Sequence, residues 1–130
     1  MPKKILLVDD EPEILEICRD YLKASGYEVV TARDGAQGLS SARREKPDLI
    51  VLDLMMPEMD GFEFVAELRK HAAWRNVPVI VVSAKHLSAE EWLQLSGAVQ
   101  KILQKGAYSI DTLLDEIRDK VATSVHKQTT

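Results

Sequence analysis

The sequence has a single cysteine, Cys18, so no disulfide can form within the chain. It has no apolar run close to the roughly 20 residues that a membrane-spanning helix needs, and its start lacks a signal-peptide pattern. It has no excess of positive charge either, because the formal net charge is -4, whereas nucleic-acid-binding domains usually carry a basic face. We therefore predict a cytoplasmic protein that has neither nucleic acid nor membrane as a direct partner.

The length and composition are typical of one globular domain. The chain has 130 residues, of which 45% are apolar, enough for one sizeable core and too few for two. The last eight residues, 123–130, are polar, and we predict a frayed tail that follows a domain of residues 1–122.

Short apolar runs alternate with segments of helical periodicity along the whole chain. The runs show no polar alternation, which is typical of strands buried on both faces of a parallel sheet. Strict alternation predicts an α/β fold with a doubly wound, five-stranded parallel sheet, and we expect strand order 2-1-3-4-5 and five helices. The predicted strands cover residues 5–8, 27–32, 49–53, 78–83 and 101–105.

Local signals mark where the helices begin and which faces they bury. Asp34, Ser88 and Ser109 precede helical runs and are predicted N-caps. The fourth helix is expected to turn its Trp92 toward the core, with contact to a partner on the signalling face as the alternative. Cys18 lies among apolar residues and is predicted to be a buried small side chain rather than a reactive thiol.

Four of the five predicted strands end in polar residues, namely Asp9-Asp10, Asp53, Ser83 and Lys105. Right-handed crossovers place the carboxyl ends of all strands on one edge of the sheet. If strands one and three are neighbours, three carboxylates meet there and repel one another unless a cation joins them. Mg²⁺ is suited to such a place, because it takes one or two carboxylates, several waters and a phosphate oxygen.

These groups are suited to in-line transfer of a phosphoryl group onto the Asp53 carboxylate. Such a transfer depends on positioning and charge neutralisation, which Mg²⁺ and Lys105 would supply, while Ser83 would donate to the phosphoryl oxygens. The chain has no glycine-rich nucleotide-binding loop, so the phosphoryl group has to come from another molecule. Taken alone, Asp9-Asp10 could instead be a solvated loop that caps the helix starting at Pro12, and the local pattern does not decide between the two interpretations.

The sequence resembles the response-regulator receiver domain of two-component signalling, a flavodoxin-like module, over residues from about 4 to about 121. The resemblance rests on Val8-Asp-Asp-Glu11, Asp53-Leu-Met-Met-Pro-Glu-Met-Asp-Gly61, Ser83-Ala84 and Lys105.

The resemblance implies a set of roles for the residues at the strand ends. It makes Asp53 the phosphoacceptor, with Asp10 as a direct Mg²⁺ ligand, Asp9 acting mainly through water, and the Met55 backbone carbonyl completing the protein ligands. The donor it implies is a phosphohistidine on a sensor histidine kinase or a histidine phosphotransfer protein. Phosphorylation would then change the face of helix four, strand five and helix five, which binds an unknown downstream protein.

Two positions depart from the family pattern. Ser83 and Lys105 match the family's hydroxyl and lysine, but Gly106 stands where a proline usually follows the lysine. Ile102 stands where an aromatic residue usually partners the hydroxyl as a switch. We therefore expect a trans peptide bond and a reshaped loop after Lys105, and whether the usual switch operates stays open.

Two other functions compete with this interpretation. A Mg²⁺-dependent phosphatase with an aspartate nucleophile would need a carboxylate two residues beyond Asp53, where Met55 stands. A receiver-like protein that binds its partner constitutively would not need the complete acidic set. We therefore expect the protein to be a phosphoacceptor and not an enzyme, with at most weak self-phosphorylation and autodephosphorylation activity. The Met1 start and polar tail suggest complete ends, yet residues 103–108 are similar to receivers attached to sensor kinases, so both arrangements stay open.

Overall fold

Five parallel strands form one sheet in the order β2-β1-β3-β4-β5. The computed structural model describes residues 3–53, 61–71, 77–83, 88–96, 99, 101–104, 112–113 and 115–120. The predicted fold class and strand order are confirmed. The strands are β1 (Lys4–Val8), β2 (Glu28–Ala32), β3 (Leu49–Asp53), β4 (Val79–Ser83) and β5 (Lys101–Gln104).

Helices connect the strands, as the alternating pattern predicts. A fifth helical segment, α5, covers residues 112–113 and 115–120 after the last strand. Within the described residues, no helix has both the length and the apolar character that crossing a membrane requires. The four helices between strands are α1 (Pro12–Ala24), α2 (Gly35–Glu45), α3 (Gly61–Lys70) and α4 (Ala89–Ser96).

Side chains cap the starts of two helices as predicted. Asp34 Oδ1 accepts a 2.8 Å hydrogen bond from the Gln37 backbone N–H at the start of α2. At α4, Ser88 Oγ accepts from the Glu91 N–H at 3.2 Å, and Glu91 Oε1 accepts from the Ser88 N–H at 2.9 Å. This reciprocal pair is a capping box. The third predicted cap, Ser109, lies outside the described residues.

Apolar side chains cover both faces of the sheet. On β1, Leu6 and Val8 belong to one buried cluster, which they share with α2 and α3, whereas Ile5 and Leu7 belong to a second cluster shared with α1 and α5. Because each central strand is buried on both sides, its sequence is a continuous apolar run. Polar groups are therefore confined to the strand ends.

The orientation of α4 differs from the prediction. Trp92 is 47% exposed and Leu93 is 76% exposed, whereas Leu95 is 1% exposed and packs in the cluster of α2 and α3. The prediction that Trp92 belongs to the core is wrong. Successive residues of a helix are about 100° apart, so Leu93 lies almost opposite Leu95. Because Leu95 is buried, Leu93 faces the solvent. Cys18, predicted to be buried, is only partly buried, although it packs against the second cluster.

Candidate functional site

Asp9 and Asp53 lie side by side at the carboxyl edge of the sheet. Strands β1 and β3 are paired in parallel with Val8 opposite Leu52. The next residues along the two chain segments are Asp9, just after β1, and Asp53, the last residue of β3, so both lie at the same edge. The backbone N–H of Asp9 donates to the Ala32 carbonyl at 3.1 Å, which extends the β1–β2 pairing by one residue. Asp9 is 7% exposed and Asp53 is 3% exposed. The sheet thus holds two carboxylates in buried, adjacent positions.

Four carboxylates converge at this edge. Oxygen atoms of Asp9, Asp10, Glu11 and Asp53 all lie within 4.8 Å of one another. Like charges at this separation repel, the more so because two of the four residues are buried. The donors are all carboxylate oxygens, which hard cations such as Mg²⁺ prefer. The residues present therefore fit a divalent cation of that kind.

The turn between β1 and α1 fixes the position of the Asp9 carboxylate. Asp9 Oδ1 accepts a hydrogen bond of 2.9 Å from the backbone N–H of Glu11. The next residue, Pro12, is the first of α1, and Glu11 is the N-cap with an extended backbone, φ -93° and ψ 107°. This turn brings consecutive acidic residues to one place, and the positive end of the α1 dipole lies beside them.

Glu11 is the member of the cluster that the sequence did not assign. Its side chain makes no capping hydrogen bond to α1, although it occupies the N-cap. A residue before proline is biased toward extended backbone, and that bias before Pro12 was the available signal that Glu11 would belong to the turn rather than to the helix.

The other predicted site residues are placed only in part. Ser83 ends β4, which pairs with β3 so that Val82 is opposite Asp53, and the backbone of Ser83 therefore reaches the same edge as Asp53. Lys105 and Met55 lie outside the described residues, as does Gly106. Ile102 is half-buried on β5 and packs against the cluster of α2 and α3.

A shallow pocket that is open to solvent adjoins the acidic cluster. Asp9 and Asp53 are its charged lining residues among those described, and the others are apolar or weakly polar. An apolar lining lowers the local dielectric and so strengthens the electrostatic interactions of the two carboxylates. The apolar part of the lining comes from Leu7, Val8, Ile14, Leu15, Cys18, Val51, Val82 and Leu113.

The sequence also matches a known family over nearly its whole length. The sequence model of the response regulator receiver domain matches residues 5–118. The chain belongs to the response regulator receiver family. Receivers of this family act as phosphorylation-dependent switches in two-component signalling, and this chain is such a switch. The resemblance inferred from the motifs is confirmed, while the roles of the individual site residues stay predictions.

Solved receivers have the same fold. The Vibrio cholerae chemotaxis protein CheY4 is 31% identical, with a TM-score of 0.83 over 92% of this chain and 98% of that one. A CheY-like receiver domain protein from Methanospirillum hungatei is 26% identical, with a TM-score of 0.89 over 98% and 99% of the two chains.

Curated relatives include both short and long proteins. The polar-differentiation response regulator DivK of Brucella anthropi is 34% identical over 81% of this receiver and 85% of its own length. The transcriptional regulatory protein KdpE of Mycobacterium tuberculosis is 36% identical over 90% of this receiver, but only 50% of its own length is matched. The alkaline phosphatase synthesis regulator PhoP of Bacillus subtilis is 47% identical over 65% of this receiver and 35% of its own length. The receiver thus spans half or less of the two longer relatives.

Proposed function

We propose that this receiver accepts its phosphoryl group on Asp53, from a phosphohistidine of a sensor histidine kinase or a histidine phosphotransfer protein. The observation that carries the proposal is the position of Asp53, which is 3% exposed at the end of a central strand and has three further carboxylates within 4.8 Å. In the reaction, a carboxylate oxygen of Asp53 bonds to phosphorus while the bond from phosphorus to the donor imidazole nitrogen breaks. The electron pair of the broken bond stays on the imidazole.

Asp53 is the best acceptor among the four carboxylates for reasons of rigidity. It is the last residue of β3, which has a hydrogen-bonded strand on each side. Asp9 already accepts a hydrogen bond from the Glu11 N–H, and Asp10 and Glu11 belong to the turn before α1. A nucleophile whose backbone is held by two neighbouring strands is already oriented for attack, so little conformational entropy is lost when it reacts.

The acidic cluster, Asp53 included, would also hold the cation. Asp10 and Asp53 would bind Mg²⁺ directly, with Asp9 acting through water and the Met55 backbone carbonyl as a further ligand. When bound, the ion neutralises negative charge on the carboxylates and on the phosphoryl oxygens. Lys105 would add a second positive charge, and Ser83 would donate a hydrogen bond to the transferred group.

The output surface includes α4 in this proposal. Trp92 and Leu93 are exposed on α4, and exposed aromatic and aliphatic side chains on one helix are typical of protein-binding surfaces. Phosphorylation would bias the loops after β3, β4 and β5 between two arrangements, and a downstream protein would bind one of them better. Ile102 is aliphatic, so this bias would not depend on an aromatic side chain at that position.

The receiver is proposed to be a phosphoacceptor rather than a turnover enzyme. Each molecule would carry one phosphoryl group and lose it slowly by hydrolysis. An aspartate-dependent phosphatase is the competing function, and it would release phosphate from a phosphomonoester in many cycles. An aspartate-dependent phosphatase would need a second carboxylate two residues after the nucleophile, as general acid and base. This chain has Met55 at that position, which favours the phosphoacceptor.

The test uses acetyl phosphate and Mg²⁺, followed by intact-mass measurement of the whole chain. Wild type is expected to gain one phosphoryl group, and Asp53→Ala none. Asp20→Ala is the matched control, because Asp20 is an exposed aspartate on α1 paired with Arg19, and it should be phosphorylated like wild type. Phosphorylation of Asp53→Ala, or continuous release of phosphate from a phosphomonoester by wild type, would contradict the proposal.

A further inference from the structure

Glu11 brings a fourth carboxylate to the cluster, and it approaches from the solvent side. Its side-chain oxygen lies within 4.8 Å of the ligand oxygens of the three aspartates, yet the residue is exposed, whereas Asp9 and Asp53 are buried. Glu11 is the N-cap of α1 with an extended backbone, so its carboxylate joins the cluster from the turn before the helix. Pro12 supports that conformation, because proline disfavours helical backbone in the residue before it.

We propose that Glu11 raises the affinity of this cluster for divalent cations, acting through water from the open side of the site. The inference rests on the proposed function, in which Asp10 and Asp53 bind the ion directly. The family match, which is independent of the geometry, also points to a cation here. Mg²⁺ takes only one or two carboxylates and keeps several waters, so an exposed carboxylate in the cluster is placed to accept hydrogen bonds from those waters.

The size of the effect follows from the charge of Glu11. A unit charge about 5 Å from a divalent cation, in water at physiological ionic strength, changes the binding constant by about threefold to tenfold. The same negative charge does not assist the phosphoryl group, which is itself an anion. Glu11 therefore lowers the Mg²⁺ concentration needed for phosphorylation without raising the rate at saturating Mg²⁺. Asp10 and Asp53, as direct ligands and acceptor, would affect both quantities.

Calorimetric titration of Mg²⁺ into the unphosphorylated full chain tests the inference directly. Glu11→Gln is expected to raise the Kd by about threefold to tenfold, and the difference from wild type should shrink at high ionic strength. The matched control is Glu13→Gln, since Glu13 is an exposed acidic residue in the same first turn of α1 but lies outside the cluster. Its Kd should stay within about twofold of the wild-type value.

Phosphorylation by acetyl phosphate at a series of Mg²⁺ concentrations gives the second readout. In Glu11→Gln the half-saturating Mg²⁺ concentration should rise by the same factor as the Kd, with a plateau rate no lower than wild type. A Kd within twofold of wild type, or an equal weakening by Glu13→Gln, would overturn the inference while leaving Asp53 as the acceptor. Wild type that binds no Mg²⁺ at all would overturn both this inference and the cation-dependent part of the proposed function.

Discussion

Phe64 of α3 lies against Gly38 of α2 with no room for a further carbon atom. A Cβ built on Gly38 would lie 2.8 Å from Phe64 Cε2 and 3.1 Å from Val8 Cγ2. Phe64 is fully buried, and Val8 immediately precedes Asp9. This contact therefore sets the distance of α2 from the strand that leads into the acidic cluster.

We expect Gly38→Ala to destabilise the receiver, although alanine is a better helix former than glycine. Alanine in a helix gains about 1 kcal/mol over glycine, while overpacking in a closed core costs about 1–3 kcal/mol, so the expected net loss is about 1 kcal/mol. Urea denaturation measures it. Ser40→Ala, at an exposed position of α2, isolates helix propensity and should be neutral or slightly stabilising. Equal or higher stability of Gly38→Ala would mean that α2 and α3 separate easily.

The two leucines of α4 should respond oppositely to truncation. Leu95→Ala is expected to cost about 2–5 kcal/mol, because Leu95 is buried in the core. Leu93→Ala should change the free energy of unfolding by less than about 0.5 kcal/mol, since that side chain is 76% exposed. Denaturation of both variants measures the contrast, and a large loss for Leu93→Ala would show that α4 turns a different face to the sheet.

Features that depend on local sequence were predictable. The strands follow from apolar runs, and the caps at Asp34 and Ser88 follow from residue types next to helical periodicity. Asp9, Asp10 and Asp53 were predicted to meet because parallel strands with right-handed crossovers end on one edge.

Features that depend on tertiary contacts were not predictable in the same way. Trp92, Leu93 and Leu95 are all apolar, so periodicity alone does not decide which of them faces the sheet; burial of Leu95 in the core cluster that also contains residues of α2 and α3 decides it. Glu11 joins the cluster only because the turn before Pro12 lies beside the end of β3, and that neighbour is distant in sequence.

The ion pair between Lys4 and Glu45 should make stability depend on pH. Lys4 Nζ lies 3.2 Å from Glu45 Oε1, and this hydrogen bond, followed by that of Arg44, holds the pKa of Glu45 below its ordinary value of 4.5. A lowered folded-state pKa stabilises the fold above the unfolded-state pKa, and the contribution is lost as pH falls through the folded-state value.

Glu45→Gln is therefore expected to be less stable than wild type at neutral pH, with the difference vanishing in acid. Urea denaturation at about pH 7 and about pH 3 checks the sign. In a Lys4→Met background the same substitution should have a smaller effect, because the main partner is gone. A difference that grows toward acid pH would contradict the assignment.

Asp53→Asn should stabilise the receiver in the absence of divalent cations. Asp53 is buried with three other carboxylates within 4.8 Å, so removing its charge relieves repulsion that water screens poorly. The expected gain in the free energy of unfolding is about 1 kcal/mol or more in EDTA. Asp20→Asn, at an exposed position, should stay within about 0.5 kcal/mol of wild type.

Added Mg²⁺ should reverse the order of stability. A ligand that binds only the folded state stabilises it by about 2.7 kcal/mol at a concentration of 100 Kd, and wild type should gain this amount, whereas Asp53→Asn loses one charged ligand and should gain less. Denaturation of both proteins in EDTA and in saturating Mg²⁺ gives all four values. If Asp53→Asn were the less stable protein in EDTA, hydrogen bonds to the Asp53 carboxylate would outweigh the repulsion between the carboxylates. That result would contradict the idea that the cation offsets a repulsion within the cluster.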